Sequence, residues 1–441
     1  MSESRLIAQA REACSLVKAN HEDLRDCGPG ACQLLEKLAA AAAAVASSVG
    51  GCVAGGDTLA LELKRSNDLL RLARDNLHAF PYKDVPLHWR RLYTDASIIK
   101  AAIMMLLRRR QQQQQHDDDE GIVAALDMAL IMTGAPGEGR KEVIASLLEA
   151  LEDTTAHPKK RLRREELKFD VAKDTVEIRH PVGRWEMPPS LEEFQKYIHT
   201  ANRPIIICGA ISHWPALQLR SWSSPEYLLS LTNGGKRLVP VEVGRAYTDA
   251  SWGQKIVTFR DFLDTCMTTC SPAEIGYLAQ HTLFSQIPAL RNDITIPDYC
   301  YSDPGEPPEN VASTSPLEDP LINAWLGPRG TVSPLHTDPY ANVLAQVMGS
   351  KYVRLYAPGE TARVFPKSIE EGGVDMSNTS RVEVEAEGGG DELTEEEREE
   401  WKRAKYVECV LKEGELLFIP AGWWHYVRSL EASFSVSFWW N

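Results

Sequence analysis

Near residue 167 the grain of the chain changes, and that change limits the fold more than any other feature. Up to about residue 155, the segments "LIAQAREACSLVKA", "LLEKLAAAAAAVASSV", "DTLALELKRSNDLLRLARDNLHAF", "DASIIKAAIMMLLRRR", "GIVAALDMALIMTG" and "KEVIASLLEALED" combine helix-favouring residues with apolar positions three or four apart. The breaks "GPG", "GG" and "PGEG" separate them, and no fixed period establishes a solenoid. Beyond residue 167, short β-branched and aromatic runs take over: "RPIIICG", "RLVPVEV", "LINAWLG", "NVLAQVM", "KYVRLYA", "YVECVL", "ELLFIP" and "SFSVSFWW" read as strands. Few helices intervene; one is "SLEEFQKYI", opened by the capping-box pair Ser190 and Glu193, and another is "TFRDFLDTCM" at 258–267. Many strands with few crossover helices favour an antiparallel double-sheet barrel over a parallel α/β sheet. The expectation is an α+β chain: an all-α region at 1–155, a linker at 156–170, and a jelly-roll domain at 171–441.

Composition narrows the class. The 441 residues suggest two or three domains, and 43% hydrophobic with 25% charged residues is ordinary for a soluble globular chain. The start "MSESRLIAQAREAC" has no apolar signal core, and nowhere do 18 apolar residues run together, so a soluble intracellular protein without a membrane partner is expected. Nine scattered cysteines lack paired zinc-module spacing and are expected to be reduced and mostly buried. The net charge of −14 is concentrated: residues 381–400 carry ten acidic and two basic residues, within an expected loop insertion at 381–404. Global charge therefore says little about partners, and direct nucleic-acid binding is not expected. "RRRQQQQQHDDDE" at 108–120 reads as a solvated low-complexity loop whose histidine and aspartates face water. Five of the six residues 159–164 are basic. Such a run suits a nuclear-localisation segment, a nucleic-acid contact or a plain solvated linker.

Two stretches carry chemistry. In "SPLHTDPY" (333–340), His336 and Asp338 are two apart, so on a strand both point to one face. In "GELLFIPAGWWHYVRSL" (414–430), a turn, a strand and a Pro420/Gly422 corner lead to a second strand that presents His425 inward. Two histidines and one carboxylate make the facial set of non-heme Fe(II) oxygenases, which leaves positions open for further ligands. Between them, Gly349-Ser350 in "NVLAQVMGSKYVRLY" signals a two-residue hairpin turn with Met348 facing Lys351. That register puts Asn342, Leu344, Gln346, Met348 and Lys351 on one face. If the face is interior, Lys351 needs a counter-ion such as an oxo-acid carboxylate. If it is exterior, Lys351 is merely solvated.

The spacing G-x5-P-x-G-x2-H resembles the second metal-binding motif of the cupin superfamily, with Ser429 where an Asn is usual. More specifically, "VPVEVGRAYTD" (239–249), "YLAQHTLFSQIPALRNDITIPDYC" (277–300), "INAWLGPRGTVSPLHTDPYANVLAQVMGSKYVRLYAP" (322–358) and the stretch 414–440 resemble the JmjC-domain family of Fe(II)/2-oxoglutarate oxygenases, above all its arginyl-hydroxylase type. The resemblance implies that His336, Asp338 and His425 hold iron, and that Tyr277, Ser333 and Lys351 hold the distal carboxylate of 2-oxoglutarate. It implies that Asn342 lies near the oxo-acid end and that Trp325 walls the pocket. It sets Glu242, Tyr247, Gln280 and Trp325 on the substrate side, where the Glu242 carboxylate would suit a guanidinium. A solvent-facing Glu242 is the plainer alternative. The implied activity is hydroxylation of an arginyl side chain in a protein, with Fe(II) as cofactor and 2-oxoglutarate and dioxygen as cosubstrates. Methyl-lysine demethylation uses the same iron centre, and a binding protein without turnover is a third reading. A nuclear location, with the cytoplasm as second compartment, and chromatin-associated partners docking on the helical region are further expectations.

Overall fold

The computed structural model describes residues 2–19, 22–47, 56–111, 117–155, 167–244, 246, 252–268, 275–308, 311, 314–369 and 375–441. Backbone contacts divide the chain into two compact units, residues 1–164 with 232–239, and residues 165–231 with 240–441.

The first unit is built on α1 (Ser2–Ala19), α2 (Pro29–Ser47), α3 (Gly56–Leu77), α4 (Leu87–Gln111), α5 (Asp117–Thr133) and α6 (Arg140–Thr155). Helix α2 buries Ala31, Leu35, Leu38, Ala39, Ala42 and Ala46, one stripe at three-to-four spacing. Its alanine run lets neighbouring helices approach closely. α4 is buried more broadly and carries a polar core in which Arg91 and Arg140 share the carboxylate of Asp95, all three nearly inaccessible. Asp119 departs from the sequence expectation: it is 1% exposed and paired with Arg108 at 2.6 Å, because α5 begins before it and turns it inward. His116 lies outside the described residues, as does the basic run at 159–164.

The second unit is the expected double-sheet barrel, which makes the chain α+β. Its strands, with the head of one supplied by residues 238–239, are β1 (Gly183–Trp185), β2 (Ile205–Cys208), β3 (Leu238–Val243), β4 (Gly253–Thr258), β5 (Gly276–His281), β6 (Leu321–Gly327), β7 (Val332–His336), β8 (Ala341–Met348), β9 (Ser350–Tyr356), β10 (Tyr406–Lys412), β11 (Glu415–Ile419), β12 (Trp424–Ser429) and β13 (Ser433–Trp440). A nine-stranded sheet in the order β1-β2-β11-β8-β13-β6-β5-β3-β4 faces a four-stranded sheet β10-β9-β12-β7. Strands β8, β11 and β13 are buried along their whole length, their polar residues Asn342, Gln346, Ser435 and Ser437 included. The helix Leu191–Thr200 starts with the Ser190/Glu193 capping box read from the sequence.

The Gly349-Ser350 hairpin does not form. β8 belongs to the large sheet, and β9 pairs with β10 and β12 in the small one. Gly349 instead turns the chain from one sheet to the other, with φ 70° and a Cβ position only 2.2 Å from the Ala432 carbonyl oxygen. Consecutive strands of a jelly roll alternate between sheets, so a tight glycine corner marks a crossing there. Lys351 nevertheless points inward, at 2% exposure.

The acidic insertion is folded. Val382, Val384, Leu393 and Ala404 are buried in one apolar cluster with Val332, Tyr352 and Trp424. Its helix Glu395–Trp401 carries a second capping box, Thr394 with Glu397, and Arg381 pairs with Glu397. Buried apolar positions spaced through an acidic sequence outweigh its charge. All seven described cysteines are free thiols. No helix among the described residues is long and apolar enough to cross a membrane.

Candidate active site

Strand β7 ends on His336, and β12 begins beside it: His425 is the register partner of His336 across the antiparallel pair. The Pro420/Gly422 corner makes this possible, since Gly422 adopts φ 74° and donates its N–H to the Asp338 carbonyl at 3.0 Å. The two imidazole centroids are 4.2 Å apart, Asp338 Oδ2 lies 3.4 Å from His425 Nε2, and Asp338 Oδ1 lies 3.9 Å from His336 Nε2. One ligating atom from each residue falls within 4.8 Å of the others, the one such group of three among the described residues.

Backbone carbonyls set the tautomers. His336 Nδ1 is 2.7 Å from the Pro334 carbonyl oxygen and His425 Nδ1 is 3.0 Å from that of Trp423. A carbonyl only accepts, so each Nδ1 carries a proton; His336 Nε2 keeps its lone pair for a metal, and His425 Nε2 would offer its own once the proton it shares with Asp338 is displaced. Burial pulls His336 down to about 4, helped by His425. Burial alone would also depress His425, but the bond to Asp338 and its charge hold it above its ordinary value. Burial works against the Asp338 carboxylate, and the His425 bond and charge outweigh it, leaving it below the usual range.

A cavity opens beside these three. Tyr277, Ser333, Asn342, Lys351 and Trp325 line it together with the triad. Lys351 donates to the Tyr277 phenol oxygen at 3.2 Å and has no carboxylate partner among the described residues, so burial lowers it to about 7. The Tyr277 phenol is pushed far above its ordinary value by burial, with Ser333 partly offsetting. Ser429 completes no site contact; its buried hydroxyl accepts from Thr331 Oγ1 at 2.7 Å and bonds Ser433 at 2.9 Å.

Glu242 stands opposite Tyr277 in the β3–β5 register, and directly opposed residues share a face. Its carboxylate accepts from Trp252 Nε1 at 3.4 Å, faces no cation among the described residues, and is raised above its ordinary value by burial. Gln280 does not join the site: it sits at φ 45° in an irregular stretch of β5 and is exposed. Tyr247 lies outside the described residues.

Trp439 is the residue that strand-by-strand reading missed. It pairs with Asn342 between β13 and β8, lines the cavity and stacks on Tyr340 at 5.8 Å. Period-2 parity from Ser437, whose Oγ accepts from Trp325 Nε1 at 2.9 Å, could have found it. Both Trp439 Nε1 and Asn342 Oδ1 are buried without a hydrogen-bond partner among the described residues. An orphan donor at Trp439 and an uncompensated ammonium at Lys351 in one cavity fit a bound polar anion. Two roomier hollows of about 240 and 410 Å³ lie elsewhere, without such a ligand group.

A barrel of this order with a His, Asp, His group at its mouth defines the cupin-like oxygenase class. Residues 190–441 match the family model described as a cupin-like domain. The chain is 38% identical over 387 residues to lysine-specific demethylase 8 of Danio rerio, covering 86% of this chain and 87% of that protein. It is 45% identical over 255 residues to the Xenopus tropicalis protein of the same name, covering 57% and 51%. It is 34% identical over 442 residues to lysine-specific demethylase JMJ30 of Arabidopsis thaliana, covering 92% of each. The chain belongs to the cupin-like JmjC family of Fe(II)- and 2-oxoglutarate-dependent oxygenases. Fe(II) and 2-oxoglutarate are that family's cofactor and cosubstrate, and the donor set found here fits both.

Proposed function

We propose that this protein hydroxylates an arginyl side chain in a protein substrate, with His336, Asp338 and His425 holding Fe(II). When bound, iron with 2-oxoglutarate and dioxygen supplies the oxidising power for a C–H bond, with succinate and carbon dioxide as co-products. The chain's own residues do the rest. Lys351 neutralises the distal carboxylate of the cosubstrate, and the Tyr277 and Ser333 hydroxyls complete its hydrogen bonding. Asn342 and Trp439 offer the polar contacts nearer the metal ligands. Trp325, Leu344, Ile419 and Val427 line the cavity and keep water from it.

The observation that carries the arginyl reading is Glu242. A mostly buried carboxylate without a cation, sharing a face with Tyr277, is suited to a guanidinium through paired hydrogen bonds. Methyl-lysine demethylation is the second reading, supported by the names of the three relatives. Mass spectrometry of peptide products separates the two: a gain of one oxygen on an arginyl peptide supports hydroxylation, and loss of a methyl with formaldehyde release overturns it. The basic run at 159–164 supports a nuclear address, with the cytoplasm as second compartment. The amphipathic helices support a platform for chromatin-associated partners.

A further inference from the structure

Strand β7 delivers His336 from the outer edge of the four-stranded sheet, and its ladder to β12 is interrupted there. On β12 a single residue, Tyr426, separates His425 from Val427. On β7 two residues, Pro334 and Leu335, separate their partners His336 and Ser333. Pro334 has no N–H to give, and the extra residue makes a bulge beside His336. The other edge of β7 is held by residues 378–380. The Ser380 N–H donates to the Leu335 carbonyl at 2.8 Å, Thr379 bridges to His336, and the Thr337 N–H donates to the Asn378 carbonyl at 2.9 Å. Ser380 roots this stretch: its hydroxyl donates to the Val364 carbonyl and accepts from the Val382 N–H at 2.9 Å, where the folded insertion begins.

Asn378 adds a side-chain bond that the ladder does not require. Its Nδ2 donates to the Thr337 carbonyl at 3.3 Å, and its Oδ1 accepts from Thr379 Oγ1 at 3.4 Å. A carbonyl only accepts, so the donor end of the amide is the one that faces Thr337. Asn378 thus holds both main-chain groups of Thr337, the one residue between His336 and Asp338. The N–H belongs to the peptide plane that leaves His336, and the C=O to the plane that enters Asp338. The Asp338 carbonyl is held in turn by the Gly422 N–H at 3.0 Å. With these groups fixed, the backbone leaves little freedom in how the imidazole and the carboxylate face one another.

We propose that Asn378 is a positioning residue for His336 and Asp338, setting the angle at which the two present their donor atoms to a metal ion. The proposal rests on these two residues as iron ligands. Asn378 is itself exposed, so water can replace its amide at little cost to folding. Water does not replace a fixed direction for both peptide planes at once. The stretch that leads into the acidic insertion thereby has a part in the metal centre.

The test compares Asn378→Ala with Asp375→Ala, each in the full chain. Asp375 Oδ1 accepts the Ser377 N–H at 2.9 Å, so its loss loosens the same turn without touching Thr337. Asn378→Ala should weaken Mn(II) binding about tenfold, and the visible bands of the Co(II)-loaded chain should move from their native positions and intensities. Its melting temperature without metal should stay within about 2 °C of the native value. Asp375→Ala should keep the native Co(II) spectrum and a Mn(II) affinity within about twofold of native. A native Co(II) spectrum with unchanged Mn(II) affinity in Asn378→Ala overturns the proposal. Equal losses in the two variants overturn it too, since they mark a loosened turn and no particular bond. Failure of the unaltered chain to bind either Mn(II) or Co(II) overturns the iron-site reading itself, which is a separate result.

Discussion

The Lys351 ammonium donates to the Tyr277 phenol oxygen at 3.2 Å and meets no carboxylate among the described residues. Burial draws the lysine down to about 7, whereas in an unfolded chain it stays protonated to about 10.4. Between those values the unfolded chain binds more protons, so stability rises with pH across that window, and the full penalty is carried below pH 7. Lys351→Met should therefore raise stability by on the order of a few kcal/mol at pH 6 and progressively less toward pH 10. Thermal or denaturant unfolding at pH 6 and pH 9 checks the sign.

The same lysine sets the pH dependence of cosubstrate binding. A carboxylate brought against Lys351 restores its charge, so binding at pH 8 should take up close to one proton, and at pH 6 almost none. Calorimetry of the Mn(II)-loaded chain in buffers of differing ionisation enthalpy measures that uptake. Affinity should weaken as pH climbs above 7.

Among the described residues Asn342 Oδ1 has no hydrogen-bond partner to lose. Asn342→Ala should leave the melting temperature of the metal-free chain nearly unchanged, while removal of the Nδ2 donor weakens 2-oxoglutarate binding by about 1–3 kcal/mol. A drop in stability with no change in affinity would assign Asn342 to the barrel wall alone.

Glu242→Gln keeps the shape and removes the charge offered to a guanidinium. Its kcat/KM for an arginyl peptide should fall by about 2–4 kcal/mol in transition-state terms, with substrate-independent decarboxylation of 2-oxoglutarate retained. Steady-state assays with and without peptide separate the two effects.

Leu393 tests the folded state of the acidic insertion. It is 4% exposed against Val382, Val384 and their neighbours. Leu393→Ala should destabilise the barrel unit by about 2–4 kcal/mol in denaturant unfolding, against less than about 0.5 kcal/mol for a solvated loop.

The cluster of His336, Asp338 and His425 was legible because each sits on a local pattern: His336 and Asp338 by strand parity, His425 by the Pro/Gly corner. The partner of a strand is not local. Gly349-Ser350 has the residues of a hairpin turn, and nothing within "NVLAQVMGSKYVRLY" says that its two strands join different sheets. Strand parity left open whether Lys351 faces inward or outward, and only the family resemblance turned it toward the site; the structure buries it. The insertion misled for another reason: ten acidic residues dominate its composition, while four buried positions decide its structure. Trp439 became visible only once β13 was registered against β8.

The most direct measurement is decarboxylation of 2-oxoglutarate by the Fe(II)-loaded chain, compared with His336→Ala under the same conditions. Succinate and carbon dioxide should form with the native chain and fall to background in the variant, whose barrel should still melt cooperatively. Equal turnover by a folded His336→Ala chain would contradict the assignment of His336, Asp338 and His425 as the iron site.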